Sequence, residues 1–378
     1  MTGRQRIEAA FSSEGTAQVP AVICYEGVFL RDHWSELTSC PWWYRLAPEA
    51  DRQVQWQREA LARTGLDWFK MFPWGVPDPE VMIEERANGA FKIDTRTGQE
   101  TRMIPPRVGG WSAQGETESF RADRLPENPE DIDALIPIPA SSDESVTSDR
   151  CGYALGTRLV REFGGEKYPY RQVCGPLWQT YELWGFEGMM VLVATRPDLV
   201  KRACERNLAL AVRTVVEAAA QGTAAIWIED CLTDMISPEA FASLNVPYVR
   251  RLVEEIRAAG MKSIYYYAGN PAGKWDLIFS IGADALSMEE SKKNFRIDIE
   301  EIVKRVRGRC TVLGNLDAIG VLQNGSEGQL RAEIARQIAA GRRNGGRFIM
   351  SLGSPVTPDT PVERVRLYCD LVHELGRT

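Results

Sequence analysis

The sequence predicts an α/β fold, a (β/α)8 TIM barrel with a small antiparallel β insertion. Three observations predict it. Short apolar runs alternate with segments of helical periodicity through the C-terminal two-thirds, which implies parallel strands joined by crossover helices. Over the whole chain the strand-like runs number eight, enough to close a barrel. One stretch breaks the rhythm: residues 80–106 alternate apolar and polar and contain Asn-Gly and Thr-Gly turns, the pattern of antiparallel strands.

The elements follow in order. Residues 19–26, VPAVICYE, read as a strand, 48–64 as a helix and 67–73 as a strand. After the insertion, residues 122–150 are rich in Pro, Asp, Glu and Ser and read as an exposed connection with little core of its own. Residues 170–176 are a strand, and 196–222 a long helix with Val200, Cys204, Leu208, Val212 and Val216 on one stripe. The run 224–230 ends in two acids, and Ser237-Pro238 then opens a helix reaching about Gly260, with proline in the first turn. Strands at 262–269, 283–290, 310–317 and 347–355 alternate with helices near 275–281, at 297–308 and at 326–341. Thr360-Pro361 opens the last helix, which stacks Val365, Tyr368, Cys369 and Val372. The whole reads as one domain, residues 1–378.

Composition narrows the function. The chain has 378 residues, 44% apolar and 26% charged, with a net charge of -7. An acidic chain of this kind is no general nucleic-acid binder, and it suits an anionic membrane no better. No run approaches the length of a membrane helix, and the N-terminus has no signal-peptide core, so a cytoplasmic protein is expected. The eight cysteines are scattered without CxxC spacing and read as reduced thiols. Two histidines leave no histidine cluster; His373 reads as structural, and His33 follows the first strand. Eleven tryptophans, Trp178 among them, and eleven tyrosines supply aromatic walls for a pocket. Neither GxGxxG after a strand nor GxxxxGK[ST] occurs.

In such barrels chemistry sits at the C-terminal strand ends. Those ends carry Tyr25 and Glu26, Lys70, Cys174, Glu229 and Asp230, Tyr265 to Tyr267, Glu289 and Glu290, Asn315 and Asp317, and Ser351. Acids at the ends of apolar strands must be paired, metal-bound or shifted in pKa. Glu229, Asp230 and Glu289 are therefore the catalytic candidates, as general acid and base or as ligands of a divalent metal such as zinc. The substrate-contact candidates are Tyr25, Glu26, Lys70, Trp178, Tyr267, Asn315, Asp317 and Ser351. The plainer reading of each acid is a helix cap or a rim ion pair with arginine.

Three stretches carry a resemblance: ISPEAFASLNVPYVRRLVEEIRAAG at 236–260, GNLDAIGVL at 314–322 and SPVTPDTPVERVRLYCDLVHELG at 354–376. In these the chain resembles the uroporphyrinogen decarboxylase (URO-D) superfamily, which includes corrinoid- and coenzyme-M-linked methyltransferases. The resemblance implies a distorted barrel with a deep pocket at the C-terminal face. Both familiar signatures depart. Where the decarboxylases have an arginine-bearing RQAGR stretch, this chain has CYEGVFLRDHW with only Arg31. Where the zinc methyltransferases have His-x-Cys and a later Cys, it has YYYAGN and SLGSP. The expectation is a methyltransferase-like enzyme moving a methyl group from a small O- or N-methylated substrate to a corrinoid on a partner protein. The alternatives are a cofactor-free decarboxylase of a smaller carboxylate and a non-catalytic binding subunit. A homodimer is compatible with either enzyme.

Overall fold

The structure, a computed structural model, describes residues 1–110, 115, 122–139, 146–292 and 294–377, the side chains of 146–151 excepted. Its strands are β1 (Trp68–Lys70), β2 (Val81–Arg86), β3 (Gly89–Asp94), β4 (Glu100–Arg102) and β5 (Tyr168–Cys174). They continue with β6 (Ala225–Asp230), β7 (Lys262–Tyr267), β8 (Ala285–Met288), β9 (Thr311–Leu313) and β10 (Phe348–Ile349). β1 and β5 to β10 belong to one parallel sheet in which strand order follows chain order. Successive right-handed crossovers curl such a sheet toward a barrel, so the fold is α/β of TIM-barrel type. β2, β3 and β4 form a separate antiparallel sheet, as residues 80–106 predict.

By contacts the chain divides into two compact units, Met1–Thr117 with Ser142–Pro169 and Leu316–Thr378, and Glu118–Ser141 with Tyr170–Asn315. In the first, Thr2 and Gln5 form a capping box that starts the helix Gly3–Phe11. The helices Ala50–Thr64 and Val146–Phe163 pack on β1 through Val54, Phe69, Met71, Leu155, Leu159 and Phe163. The β2–β4 sheet buries Val81, Ile83 and Ala90 beside Ala47 and leaves Met82 exposed, a half-buried sheet with period two. Ser326 and Gln329 make a second capping box at the head of the helix Glu327–Arg343.

In the second unit β5 to β9 pair in parallel, with Cys174 beside Glu229, Glu229 beside Tyr266 and Tyr266 beside Ser287. Helices Pro197–Ala220, Pro238–Leu244 and Val246–Ala258 cover one face of these strands. Arg171 reaches Glu217 at 3.4 Å, and Tyr267 meets Phe241 edge-on at 5.9 Å. Ser237 caps the second of these helices by accepting from the Ala240 N–H, with Pro238 in the first turn as its sequence implies.

Four expectations change. The first strand, expected over 19–26, is reduced to an isolated parallel bridge between Ala21 and Met350, because Tyr25 turns left-handed (φ 52°) and Glu26 starts a helix. On Pro197–Ala220 the buried stripe passes from Leu208 to Val215 and leaves Val216 61% exposed. Steps of four residues overshoot a 3.6-residue turn, and after four of them, from Val200 to Val216, the stripe has drifted off the face. The connection 122–150 contains the helix Pro129–Leu135, capped by Asn128, with Ile132 fully buried, and the start of Val146–Phe163; residues 140–145 lie outside the described residues. A helical segment at Thr180–Thr195, kinked at Gly185 (φ 67°), was not anticipated, since it is apolar on nearly every face and carries no periodic signal.

Candidate active site

Because β6 is a strand, its two terminal acids point to opposite sides. Asp230 faces the helices. Its Oδ2 accepts from the Tyr265 hydroxyl at 2.5 Å and from Asn245 Nδ2 at 2.7 Å, Asn245 standing just before the helix Val246–Ala258. Gly175 lies against its other oxygen: a Cβ there would sit 2.9 Å from Asp230 Oδ1, so this approach needs glycine. Burial pushes the Asp230 carboxyl up to about 7, with the neighbouring Glu229 adding to it and the bonds from Tyr265 and Asn245 opposing.

Glu229 lies on the other face, with Gln172, Cys174, Trp227, Tyr266 and Ser287. Gln172 Nε2 donates to its Oε2, and the Cys231 thiol lies 3.6 Å from its Oε1. Trp227 stacks on Tyr266 with ring centres 5.3 Å apart, and Tyr170 follows at 6.5 Å from Trp227. This face is therefore a buried aromatic layer with a fixed carboxylate at its upper edge.

Glu289 follows β8, two residues beyond Ser287, so alternation sets it toward the same face as Glu229. Its Oε2 accepts the Gly269 N–H at 2.9 Å. Gly269 has φ +95°, and a Cβ there would come within 2.2 Å of Asp234 Cγ, so only glycine lets this N–H approach. Burial raises the Glu289 pKa above the ordinary carboxylate range, aided by the Glu290 and Asp234 charges and opposed by Lys292 and the Gly269 N–H. The lysines here are engaged. Lys274 Nζ donates to Asp234 O at 2.9 Å, and Lys292 pairs with Glu290 at 2.5 Å.

The other sequence candidates have structural partners. Asn315 Nδ2 donates to Glu289 O at 3.1 Å and to Ile297 O at 2.9 Å, which ties the two ends of the segment after β8. Tyr267 is fully buried on the helix face and donates to Asn270 O at 3.2 Å; the tyrosine that joins Glu229 is Tyr266. Trp178 is half-buried and stacks on Tyr181 at 4.9 Å. In the first unit, Tyr25 precedes the helix Glu26–Asp32, Asp317 Oδ1 accepts from the Ile319 and Gly320 N–H groups, and Ser351 donates to Leu352 O. Glu26 and Lys70 line one cleft with Phe29, Trp56, Gln57 and Phe69.

The expected metal set is not assembled. Glu229 and Asp230 face opposite sides, and among the described residues no three His, Cys, Asp or Glu side chains converge as ligands. Sequence reasoning placed Tyr266 in the strand-end tyrosine run without choosing it, and missed Ser287, Gln172 and Asp234. The first three could have been found by counting two residues along each strand from Glu229 and its neighbours; Asp234, in a loop, left no such signal.

A family model described as uroporphyrinogen decarboxylase (URO-D) matches residues 118–375. Among curated proteins the chain is similar to the uroporphyrinogen decarboxylase of Thermodesulfovibrio yellowstonii, 29% identical over 153 residues, 40% of this chain and 42% of that protein. It is also similar to that of Neisseria meningitidis, 28% identical over 196 residues, 51% of this chain and 53% of that protein. The chain thus spans about half the length of these curated relatives. Among solved structures it aligns with a methyltransferase from Methanosarcina mazei at a TM-score of 0.67, with 15% identity over 99% of each chain; at that identity the likeness is one of fold. Among the described residues no helix is long and apolar enough to cross a membrane.

Proposed function

The chain belongs to the uroporphyrinogen decarboxylase family, whose members are decarboxylases or methyltransferases, and on that premise we propose a methyltransferase-like enzyme acting on a small O- or N-methylated substrate. The observation that carries this reading is Glu289, a half-buried carboxyl at the end of β8 whose pKa burial raises, on the same side of the sheet as Glu229. When a methyl group leaves an ether or amine, the heteroatom it leaves needs a proton. A carboxyl whose pKa is raised is the better proton donor of the acids here. Glu229, held by Gln172, would orient the substrate at the end of β6. The acceptor would be a corrinoid on a partner protein, which supplies the nucleophile for the methyl carbon.

The test is a screen of methyl ethers and methylamines with free cob(I)alamin as acceptor, followed by Glu289→Gln on any active donor. We expect turnover to fall at least about 100-fold with the melting temperature unchanged. Activity surviving the change removes Glu289 as the acid.

A second reading, cofactor-free decarboxylation, draws support from the names of the curated relatives. It needs cations to hold carboxylates. Arg31 is engaged by Asp32 at 2.8 Å and by Gly110 O at 2.9 Å, and Lys274 and Lys292 are held as described. Release of CO2 from a carboxylated pyrrole, with no methyl donor active, would favour this second reading.

A further inference from the structure

The turn after β7 is held by a second carboxylate that neither reading uses. β7 lies between β6 and β8 in the sheet, and just past its end the Ala268 N–H still donates to Asp230 O at 3.1 Å. The next two N–H groups have left the ladder, and backbone donors inside a fold need partners. The Gly269 N–H finds Glu289 Oε2 at 2.9 Å, and the Asn270 N–H finds Asp234 Oδ2 at 3.2 Å. Two consecutive N–H groups are thus taken by two carboxylates, one from the segment after β8 and one from the single turn Thr233–Met235 after β6. Asp234 is itself fixed, because its C=O accepts from Lys274 Nζ at 2.9 Å and Lys274 is only 3% exposed. The turn closes on itself through the Tyr267 hydroxyl, which donates to Asn270 O, and through Asn270 Oδ1, which accepts the Ala272 N–H at 3.0 Å.

We propose that Asp234 is a positioning residue for Glu289: by binding the Asn270 N–H and bearing on Gly269, its carboxylate sets the turn so that the Gly269 N–H meets Glu289 Oε2. The contact has a chemical consequence, the choice of oxygen. An oxygen that accepts an N–H is the poorer seat for a proton, so the proton of Glu289 sits on Oε1, the oxygen left to donate it. The charges around the pair act in the same sense. Asp234 and Glu290 both disfavour the ionised Glu289, against Lys292 and the Gly269 N–H, while Lys274 is turned to the backbone of Asp234. This role rests on the reading of Glu289 as the proton donor; the contact between the turn and the two carboxylates does not.

Positioning can be read in the full chain without a methyl donor, so it stands or falls apart from the chemistry of Glu289. NMR of the deuterated protein follows the Gly269 amide, with Glu289→Ala marking where its signal lies once the acceptor is gone. Asp234→Ala should move the signal most of the way to that position and speed its exchange with solvent at least about 10-fold. Asp234→Asn keeps an oxygen for the Asn270 N–H and should hold the signal near its parent position. An Asp234 that only stabilised the fold would lower the melting temperature without moving this one amide. An unmoved Gly269 signal in Asp234→Ala, or an equal change in Asp234→Asn, overturns the proposal; should the alanine variant not fold, Asp234→Ser takes its place with the same expectation. On any active methyl donor, Asp234→Ala should lower kcat at least about 10-fold with little change in KM, and Asp234→Asn should recover most of the loss. Full kcat in Asp234→Ala beside an inactive Glu289→Gln would overturn the role of Asp234 and leave the acid in place.

Discussion

At the scale of single residues, the adjacent acids Glu229 and Asp230 have separate tasks because a strand turns successive side chains to opposite faces. Asp230 is buried among helices and bonded to Tyr265 and Asn245, so we assign it to holding the β6 end and the start of the helix Val246–Ala258 together. Its carboxyl sits at about 7 in the fold, well above an unfolded aspartate. The native state therefore holds a proton that the unfolded chain has released, and stability falls as pH rises between about 4 and 7. Unfolding measured against pH should show a loss on the order of 1 kcal/mol per pH unit from this group, absent in Asp230→Asn. If the variant keeps the same slope, the carboxyl is ionised in the fold and this account of it is wrong.

At the scale of elements, the segment after β8 is closed by one side chain. Asn315 donates to both Glu289 O and Ile297 O, while the Ser291 hydroxyl accepts the Ile297 N–H at 3.0 Å. Asn315→Ala leaves two carbonyls without their donor and should cost about 1–2 kcal/mol in denaturant unfolding. The same variant should lower turnover, because Glu289 loses its fixed backbone. Unchanged stability would mean that water replaces the amide and that the segment is not held there.

Much of this level was legible in the sequence. The caps at Ser237 and Ser326, the antiparallel insertion and the acids at the ends of β6 and β8 all follow from local chemistry. What was not legible had physical reasons. Tyr25 adopts a left-handed conformation that no local pattern announces, and the helix Thr180–Thr195 is too uniformly apolar to show a period. The choice of Tyr266 over Tyr267 depends on which face the helices cover, and that is set by tertiary packing.

At the scale of the molecule, the first unit gathers distant parts of the chain on one buried carboxylate. Asp67 accepts from Arg6 at 2.8 Å, from the Ala21 N–H at 2.8 Å and pairs with His373 at 2.8 Å. Burial alone would raise its pKa, but His373, the Ala21 N–H and Arg6 outweigh burial and hold it below the usual aspartate value. The sign is opposite to that of Asp230. Stability from Asp67 is present above the unfolded pKa, about 3.9, and is lost as pH falls through the lower folded value. Asp67→Asn should cost about 3 kcal/mol near neutral pH and flatten the acid limb of the unfolding curve. A variant as stable as the parent would show that the network contributes nothing net.

The same carboxylate constrains the order in which the chain can acquire its structure. Arg6 and His373, both on Asp67, are 367 residues apart in sequence, whereas the strands β6 to β9 lie within one continuous stretch. As the polypeptide leaves the ribosome, those strands have their partners at hand well before residue 373 has been added. Until then Asp67 lacks one of the groups that offset its burial, so the first unit must keep it hydrated or only partly enclosed while the strands of the second can already pair.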